Sequence, residues 1–314
     1  VTEPKITEIL NSHGIFISEG TVSNILIYEK SEIFKSEKKD IFKSALEVSD
    51  YHQIDDTGMR VDGVNHYANI LCNDYYAMFS IRRYKNRDTV KTIICGIDEH
   101  EDIDITDITS ERALLIADDA PQFKKLTNKL GLCWIHEERH YQKLVPAIPY
   151  HKELVKKIRN QIWDYYKALK LYKVAPSESE KIRLWNKFDK IFMTSTGYED
   201  LDNRLKLTNS KKEELLLVLD FPFIPLHNNQ SELTAREIVT KRKISGGVRT
   251  EVGKVAWENA LSIYVTCKMN SVNFYSYILD IFKENKERIY LSEVIQKRKL
   301  KEDEKSSNFL DKTG

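Results

Sequence analysis

Apolar residues recur along the chain with two different periods, and the changes between them mark its parts. At the start, Ile6, Ile9 and Leu10 share one helical face, so 4–11 read as a short helix with Pro4 in its first turn. Ser12, His13 and Gly14 end it, and Ser18 is placed to cap a second helix over 19–28 that carries Val22, Ile25 and Leu26. Two short helices around a glycine turn fit either a helix-turn-helix or an ordinary helical hairpin. Residues 30–43 are charged and helix-compatible and read as a linker. From Tyr51 the period shortens. Residues 51–56, 66–71 and 75–81 read as strands, separated by Gly58/Gly63 and by Asn73/Asp74. A short helix fits 88–95. The run Ala-Leu-Leu-Ile-Ala within 112–117 is long enough for a buried strand and too short for a helix. A helix over 121–130 and a buried strand over 132–135 complete this stretch.

Beyond it the period is helical throughout. Leu154, Ile158, Ile162 and Tyr165 form one stripe, and Ile182, Trp185, Phe188 and Phe192 another. These aromatics read as the core of an all-helical insertion. A proline-containing loop covers 221–226, and helices resume over 229–239, 252–269 and 273–282. The tail after Lys283 is highly charged and reads as a surface helix with a frayed end. The expected division is therefore 1–48 helical with a linker, 49–135 the first part of a core, 136–220 the insertion, 221–283 the second part of the core, and 284–314 the tail. Three strands, a helix, then alternating strand and helix describe an α/β fold, a mixed sheet flanked by helices.

Composition narrows the class. Apolar residues make up 41% of the 314, ample for a core, and charged residues 31%, which points to a soluble protein. No apolar run reaches the ~18 residues of a membrane span. No secretory leader is expected, and a start at Val1 rather than Met fits a fragment of a longer protein. Cys72, Cys95, Cys133 and Cys267 are far apart and form no C-x-x-C pair, so free thiols in a reducing cytoplasm are expected. The net charge of +1 is low for a nucleic-acid binder. An acidic site would lower the sum, and local patches matter more than totals.

Three acids sit where chemistry could use them. Asp55 ends the first strand, Asp118 follows the apolar run, and Glu232 opens a helix, at separations of 63 and 114 residues. Carboxylates at the ends of neighbouring strands and on a crossing helix can make an all-oxygen site suited to Mg²⁺ or Mn²⁺. Two such ions about 4 Å apart can activate a hydroxyl and stabilise the leaving oxygen of a phosphodiester. Each acid also has a plainer reading. Asp55-Asp56-Thr57-Gly58 is turn chemistry, Asp118 could cap the next helix, and Asn229 with Glu232 has capping-box spacing. In the doublet Asp55/Asp56 only one side chain can face the site, because strand neighbours point to opposite sides; periodicity leaves both this pair and Asp118/Asp119 open. On the helix, Asn228, Glu232, Ala235 and Val239 share one face with Arg236 beside it, and Glu237 points elsewhere. Cys133-x-x-His136 with His140 has part of the spacing of a zinc site but no evident fourth ligand. His136 either faces the carboxylates and DNA or is structural. Lys241, Arg242, Lys243 and Arg249 flank Ser245-Gly246-Gly247, which is either a phosphate-contacting run or a solvated basic loop.

Several of these stretches together resemble one family. Asp55-Asp56-Thr57-Gly58-Met59-Arg60-Val61-Asp62-Gly63 is similar to the Asp-Glu-Thr-Gly-x-Arg-Val-x-Gly stretch of insertion-sequence transposases of the sixty-six type. Cys133-Trp134-Ile135-His136 with Arg139 and Tyr141 resembles that family's Cys-Trp-x-His-x-x-Arg-x-Phe motif. Asn228-Asn229-Gln230-Ser231-Glu232 with Arg236 resembles its Asn-Asn-x-Ala-Glu-Arg-x-x-Arg motif, and Lys241-Arg242-Lys243 with Ser245-Gly246-Gly247 resembles the basic run after it. The four occur in family order over 51–282. Asp56 stands where the family has Glu, Glu138 and Leu233 where it has Arg, and His227 where it has Asp. The first change is conservative, and the others bear on phosphate contacts rather than on the metal site.

The resemblance implies a ribonuclease-H-like core with a helical insertion before the last acid. It implies metal-dependent DNA cleavage and strand transfer by a DDE transposase holding two Mg²⁺ or Mn²⁺ ions. Asp55, Asp118 and Glu232 take the acidic places. His136, Arg139, Asn228, Asn229, Arg236, Lys241, Arg242, Lys243 and Arg249 are supporting or DNA-contacting groups. The implied partners are the element ends and the target DNA, a second copy of the chain or more in the DNA complex, and accessory transposition proteins, in a bacterial cytoplasm at the nucleoid and without membrane. A domesticated, inactive DNA-binding relative is the alternative that an intact acidic triad disfavours. A nuclease on the same core is the one that the Asn-Asn-x-x-Glu helix disfavours.

Overall fold

The structure is a computed structural model that describes residues 2–29, 31–97 and 114–310. The chain packs as two compact units, one formed by Val1–Ile108 with Asn229–Gly314 and the other by Thr109–Asn228. Antiparallel and parallel strand pairs, each accompanied by helices, make it an α/β protein.

The first unit opens with α1 (Glu3–Ser12) and α2 (Glu19–Asn24). Ser18 caps α2 as its position predicts, its Oγ accepting from the Thr21 N–H at 3.0 Å. The expected helix over 19–28 divides, because Ile25–Glu29 continues as a π-helical turn. The charged stretch expected to be a linker is ordered. It forms α3 (Ser31–Val48), which buries Phe34, Glu37, Ile41, Ser44 and Ala45 on one stripe. Two of these five positions are polar, which hides the period from a hydrophobic reading. Glu37 is accommodated by Arg288 at 2.8 Å and by the Tyr277 hydroxyl. The tail is helical, as expected, and its first turns are packed. Its helix α13 (Leu291–Leu310) buries Leu291 and Ile295 and packs along α3, with the Ser44 hydroxyl donating to the Ser292 carbonyl at 2.8 Å.

Strands β1 (His52–Val61), β2 (Val64–Cys72) and β3 (Ala77–Arg82) form an antiparallel meander. Gly58 does not interrupt β1. The turn falls at Asp62 and Gly63, both left-handed at φ 48° and 71°, as a two-residue Asp-Gly hairpin requires. One face of the meander carries Met59, Val61, Ala68, Ile70, Phe79 and Ile81. It is covered by Ala235 and Ile238 of α10 (Asn229–Ser245) and by Leu261 and Val265 of α11 (Glu251–Met269). Helix α11 also closes the outer edge of β3. Glu258, Ser262 and Thr266, four residues apart, accept from the N–H groups of Ile81, Phe79 and Ala77, two residues apart. Four helical residues advance ~6 Å and two strand residues ~6.6 Å, so the acceptors keep step with the donors along the outer edge of β3. Helices α4 (Arg87–Ile94) and α12 (Phe274–Phe282) complete the unit, capped by Asn86 and Asn273.

The second unit holds the parallel pair β4 (Leu115–Ala117) and β5 (Leu130–Leu132). The helix expected over 121–130 is absent apart from one 3-10 turn at Pro121–Phe123, and Lys125 is left-handed at φ 60°. The strand expected over 132–135 ends at Leu132, and Trp134 opens α5 (Trp134–Gln142). A short apolar run does not distinguish strand from buried helix start. Helices α6 (Pro149–Val174), α7 (Glu178–Phe192), α8 (Glu199–Asn209) and the short α9 (Lys212–Leu215) follow, as the helical period predicts. Trp134, Tyr165, Phe188 and Phe192 meet in their core, with the indole 5.5 to 6.3 Å from the other three ring centres and its N–H on the Leu215 carbonyl. The α7 stripe is Leu184, Phe188, Ile191 and Phe192, whereas Ile182 is exposed. Among the described residues, no helix is long and apolar enough to cross a membrane.

Candidate active site

Strand register separates the two aspartates of the first doublet. Asp55 pairs across with Ile70 and Gln53 with Cys72, so both lie on the face that α10 and α11 cover. Asp56 pairs with Asn69 on the opposite face, where the Lys85 ammonium sits 3.4 Å from its carboxylate. The Asp55 carboxylate is half-buried and accepts from the Asp56 backbone N–H at 2.8 Å.

The helix bearing Glu232 is seated on that same strand. The buried Gln53 side chain accepts from the N–H groups of Gln230 and Ser231 at 3.1 and 3.4 Å, satisfying first-turn donors of α10. Asn229 is the first helical residue, so it is not the cap of an Asn229/Glu232 box. Ser231, Thr234, Ala235 and Ile238 form the buried stripe of α10, and Glu232 lies half-buried at its margin. Gln53 therefore touches the residue before Glu232 and stands two residues before Asp55 on one face. The environment there is charged as well as buried. The Cys72 thiol is pushed well above its usual range by burial first, and further by the Asp55 and Asp74 charges, against a hydrogen bond to Thr234. Arg236 is exposed, and Glu237 approaches Lys268 at 3.9 Å.

In the second unit, ion pairing divides the other doublet. Asp119 is held by Lys211 and Lys124, both at 2.9 Å. Burial would raise its pKa, but these two ammonium groups hold it below the usual carboxylate range. Lys211 also pairs at 2.6 Å with the buried Glu137 of α5, which accepts in addition from Arg204 and Thr208. Burial acts upward on Glu137 too, and Lys211 and Arg204 more than offset it. Asp118, half-buried, accepts from the Ala120 N–H at 3.1 Å. His136 and Arg139 are neighbours on α5, 3.1 Å apart, and Asn228 is wholly buried.

The basic run is helical rather than a loop. Lys241, Arg242 and Lys243 lie in the last turns of α10, and Lys241 sits over the Trp257 ring at 5.9 Å. Arg242 donates to the Gly58 carbonyl of β1. Gly247 has φ 149°, and a Cβ there would stand 2.3 Å from the Arg60 carbonyl oxygen. Its small size serves close packing on β1, where Val248 N–H donates to Arg60 O and Asp62 N–H to Val248 O, each at 2.9 Å. Arg249 is exposed.

Sequence reasoning passed over Gln53, Glu137 and Lys211. Gln53 carried a signal, being two residues from Asp55 on the same strand face. Lys211 carried none, since its partners are 74 and 92 residues away.

Comparison with known proteins places the chain. The Transposase IS66 family matches residues 4–256. The uncharacterized protein y4jO of Sinorhizobium fredii is 42% identical over 167 residues, which are 53% of this chain and 51% of that protein. The chain thus spans about half the length of this relative. No solved structure matches it. With the family matched across both units, from the first helix into the first turns of α11, the chain belongs to the IS66 family of transposases.

Proposed function

We propose that the chain cleaves DNA at the ends of an insertion sequence and joins it to a target, with Asp55, Asp118 and Glu232 as the ligands of two Mg²⁺ or Mn²⁺ ions. The observation that carries this reading is the seating of α10 on β1 through Gln53, which puts Asp55 and Glu232 on segments docked to each other. Further support comes from the first doublet. Strand register sets Asp55 on the face that α10 covers and Asp56 on the opposite one. The donor set fits the ions, because all three residues offer carboxylate oxygen and hard divalent cations prefer it.

Bound ions of this kind activate an attacking hydroxyl and stabilise the leaving oxygen of a phosphodiester. The chain's own part is to fix the carboxylates and to hold DNA. Gln53 and the buried α10 stripe fix Glu232 against β1. The Lys211–Glu137 network fixes Asp119 and with it the chain at Asp118. Arg139, Arg236, Arg242, Lys243 and Arg249 supply cations for phosphates, and His136, Asn228 and Asn229 support the site. The chain order of an antiparallel meander followed by a parallel pair accords with a ribonuclease-H-like core. Action on two DNA ends calls for a dimer or larger assembly, with accessory proteins and the bacterial nucleoid as its setting.

The test is nicking of DNA carrying element ends, in Mg²⁺ or Mn²⁺ and in chelator. Nicking that depends on the ion and is lost in Asp55→Asn, Asp118→Asn and Glu232→Gln, with folding and DNA binding kept, is the expected result. Full activity in all three variants would remove the proposal.

A further inference from the structure

The segments around Arg60 and Arg242 are far apart in sequence, and Arg60, on the face of β1 opposite to Asp55, has no part in the chemistry proposed above. In the first unit they line one groove of about 530 Å³. Its floor is the β1–β2 hairpin, through the cross-strand pairs Gly58–Tyr67 and Arg60–Asn65, and its wall is the end of α10, through Arg242 and Gly246. We propose that this groove binds the phosphodiester backbone of duplex DNA, with Arg60 and Arg242 as its phosphate ligands. The proposal rests on the reading of the chain as a DNA-acting enzyme and adds a contact surface separate from the carboxylates.

Three observations carry it. The first is charge. Arg60 and Lys243 are exposed, Arg242 reaches over the strand to the Gly58 carbonyl, and Lys85 stands 5.1 Å from the centre of the Tyr67 ring. Cations at a helix C-terminus complement its dipole, which accounts for Arg242 and Lys243 but not for Arg60 on a strand. Of the nearby acids, Asp56 is paired with Lys85 at 3.4 Å, Glu251 is engaged by Lys254 at 2.6 Å and faces His66 at 3.6 Å, and Asp62 stands in the hairpin turn. The second is shape. Gly58 lies inside β1 at an ordinary φ, and a Cβ built there meets nothing within 4 Å, so neither backbone conformation nor packing calls for glycine. A glycine inside a strand weakens it and often marks the close approach of a ligand or another backbone. The third is fixation. The two hydrogen bonds between Val248 and the hairpin, and the close approach of Gly247 to Arg60, tie wall to floor. The arginines are thereby presented from a held frame, which limits the entropy lost on binding.

The experiment is fluorescence anisotropy of a labelled random-sequence DNA duplex in chelator over a series of salt concentrations. Each phosphate contact adds about 0.9 to the slope of log affinity against log salt. Arg60→Ala and Arg242→Ala are each expected to make that slope shallower by about one and to weaken binding about eightfold at ~0.1 M salt. Lys157→Ala, which removes an exposed cation from α6, is expected to leave both unchanged. Gly58→Val separates binding from folding, since it should hold or raise the melting temperature while weakening affinity. Wild-type binding with unchanged slope and affinity in both arginine variants would overturn the groove and leave the enzyme reading standing. No duplex binding by the wild type would overturn both.

Discussion

Single residues decide what each acid can do. Adjacent aspartates have the same intrinsic chemistry, but strand register turns Asp55 toward α10 and Asp56 toward Lys85. Loss of a metal ligand removes several kcal/mol of transition-state stabilisation, so Asp55→Asn is expected to slow nicking by about 10³ and Asp56→Asn by only a few-fold. Single-turnover rates on a nicked-product gel check this, and equal losses in both variants would contradict it. Lys211 sits in a buried network with Glu137 and Asp119. Removing one member of such a network strands buried charge, so Lys211→Met should lose about 3–5 kcal/mol in denaturant melts. His52 gives a pH signature. Burial lowers its pKa from 6.5 to about 4, and its Nδ1 lies 2.7 Å from the Tyr76 hydroxyl. The unfolded chain binds a proton here that the folded chain refuses, so this stability is complete above pH 6.5 and falls as pH drops toward 4. The span is about 3 kcal/mol, and His52→Gln should flatten that part of a stability-against-pH curve.

Elements show which physical signals reach a reader of sequence. Helices α6 to α8 and the Ser18 cap were legible because period and capping chemistry are local. Strand α10-facing positions were legible only as alternation, and the true end of β1 needed the Asp62-Gly63 turn to outweigh Gly58. Helix α3 was legible as helix-compatible but not as a packed element, because Glu37 and Ser44 occupy its buried stripe, where Arg288, Tyr277 and Ser292 from the distant tail accommodate them. The candidate site divides the same way. Its three acids were visible from their strand and helix contexts, whereas the groups that hold those contexts in place are joined by contacts that no window contains. Helix α11 is the clearest such case, since its Glu258–Ser262–Thr266 ladder exists only opposite β3. Thr266→Val would leave the Ala77 N–H buried without its acceptor, at a cost of about 1–3 kcal/mol. Amide exchange at Ala77 should quicken, and unchanged protection there would count against the ladder.

At the scale of the whole molecule, a net charge of +1 conceals an uneven distribution. Acids are proposed to gather metal, while Arg60 and Arg242 line one groove of the first unit's hairpin and helix end. The proposed activity calls for both in one chain, cations for a polyanion and carboxylates for metal. The most direct measurement is iron-mediated self-cleavage, in which Fe²⁺ replaces Mg²⁺ and peroxide with ascorbate cuts the backbone beside the bound ion. Cuts clustered at Asp55, Asp118 and Glu232 together, competed by Mg²⁺ and lost in Asp55→Asn, are the predicted result. Cuts confined to other segments, or an unchanged pattern in Asp55→Asn, would contradict it.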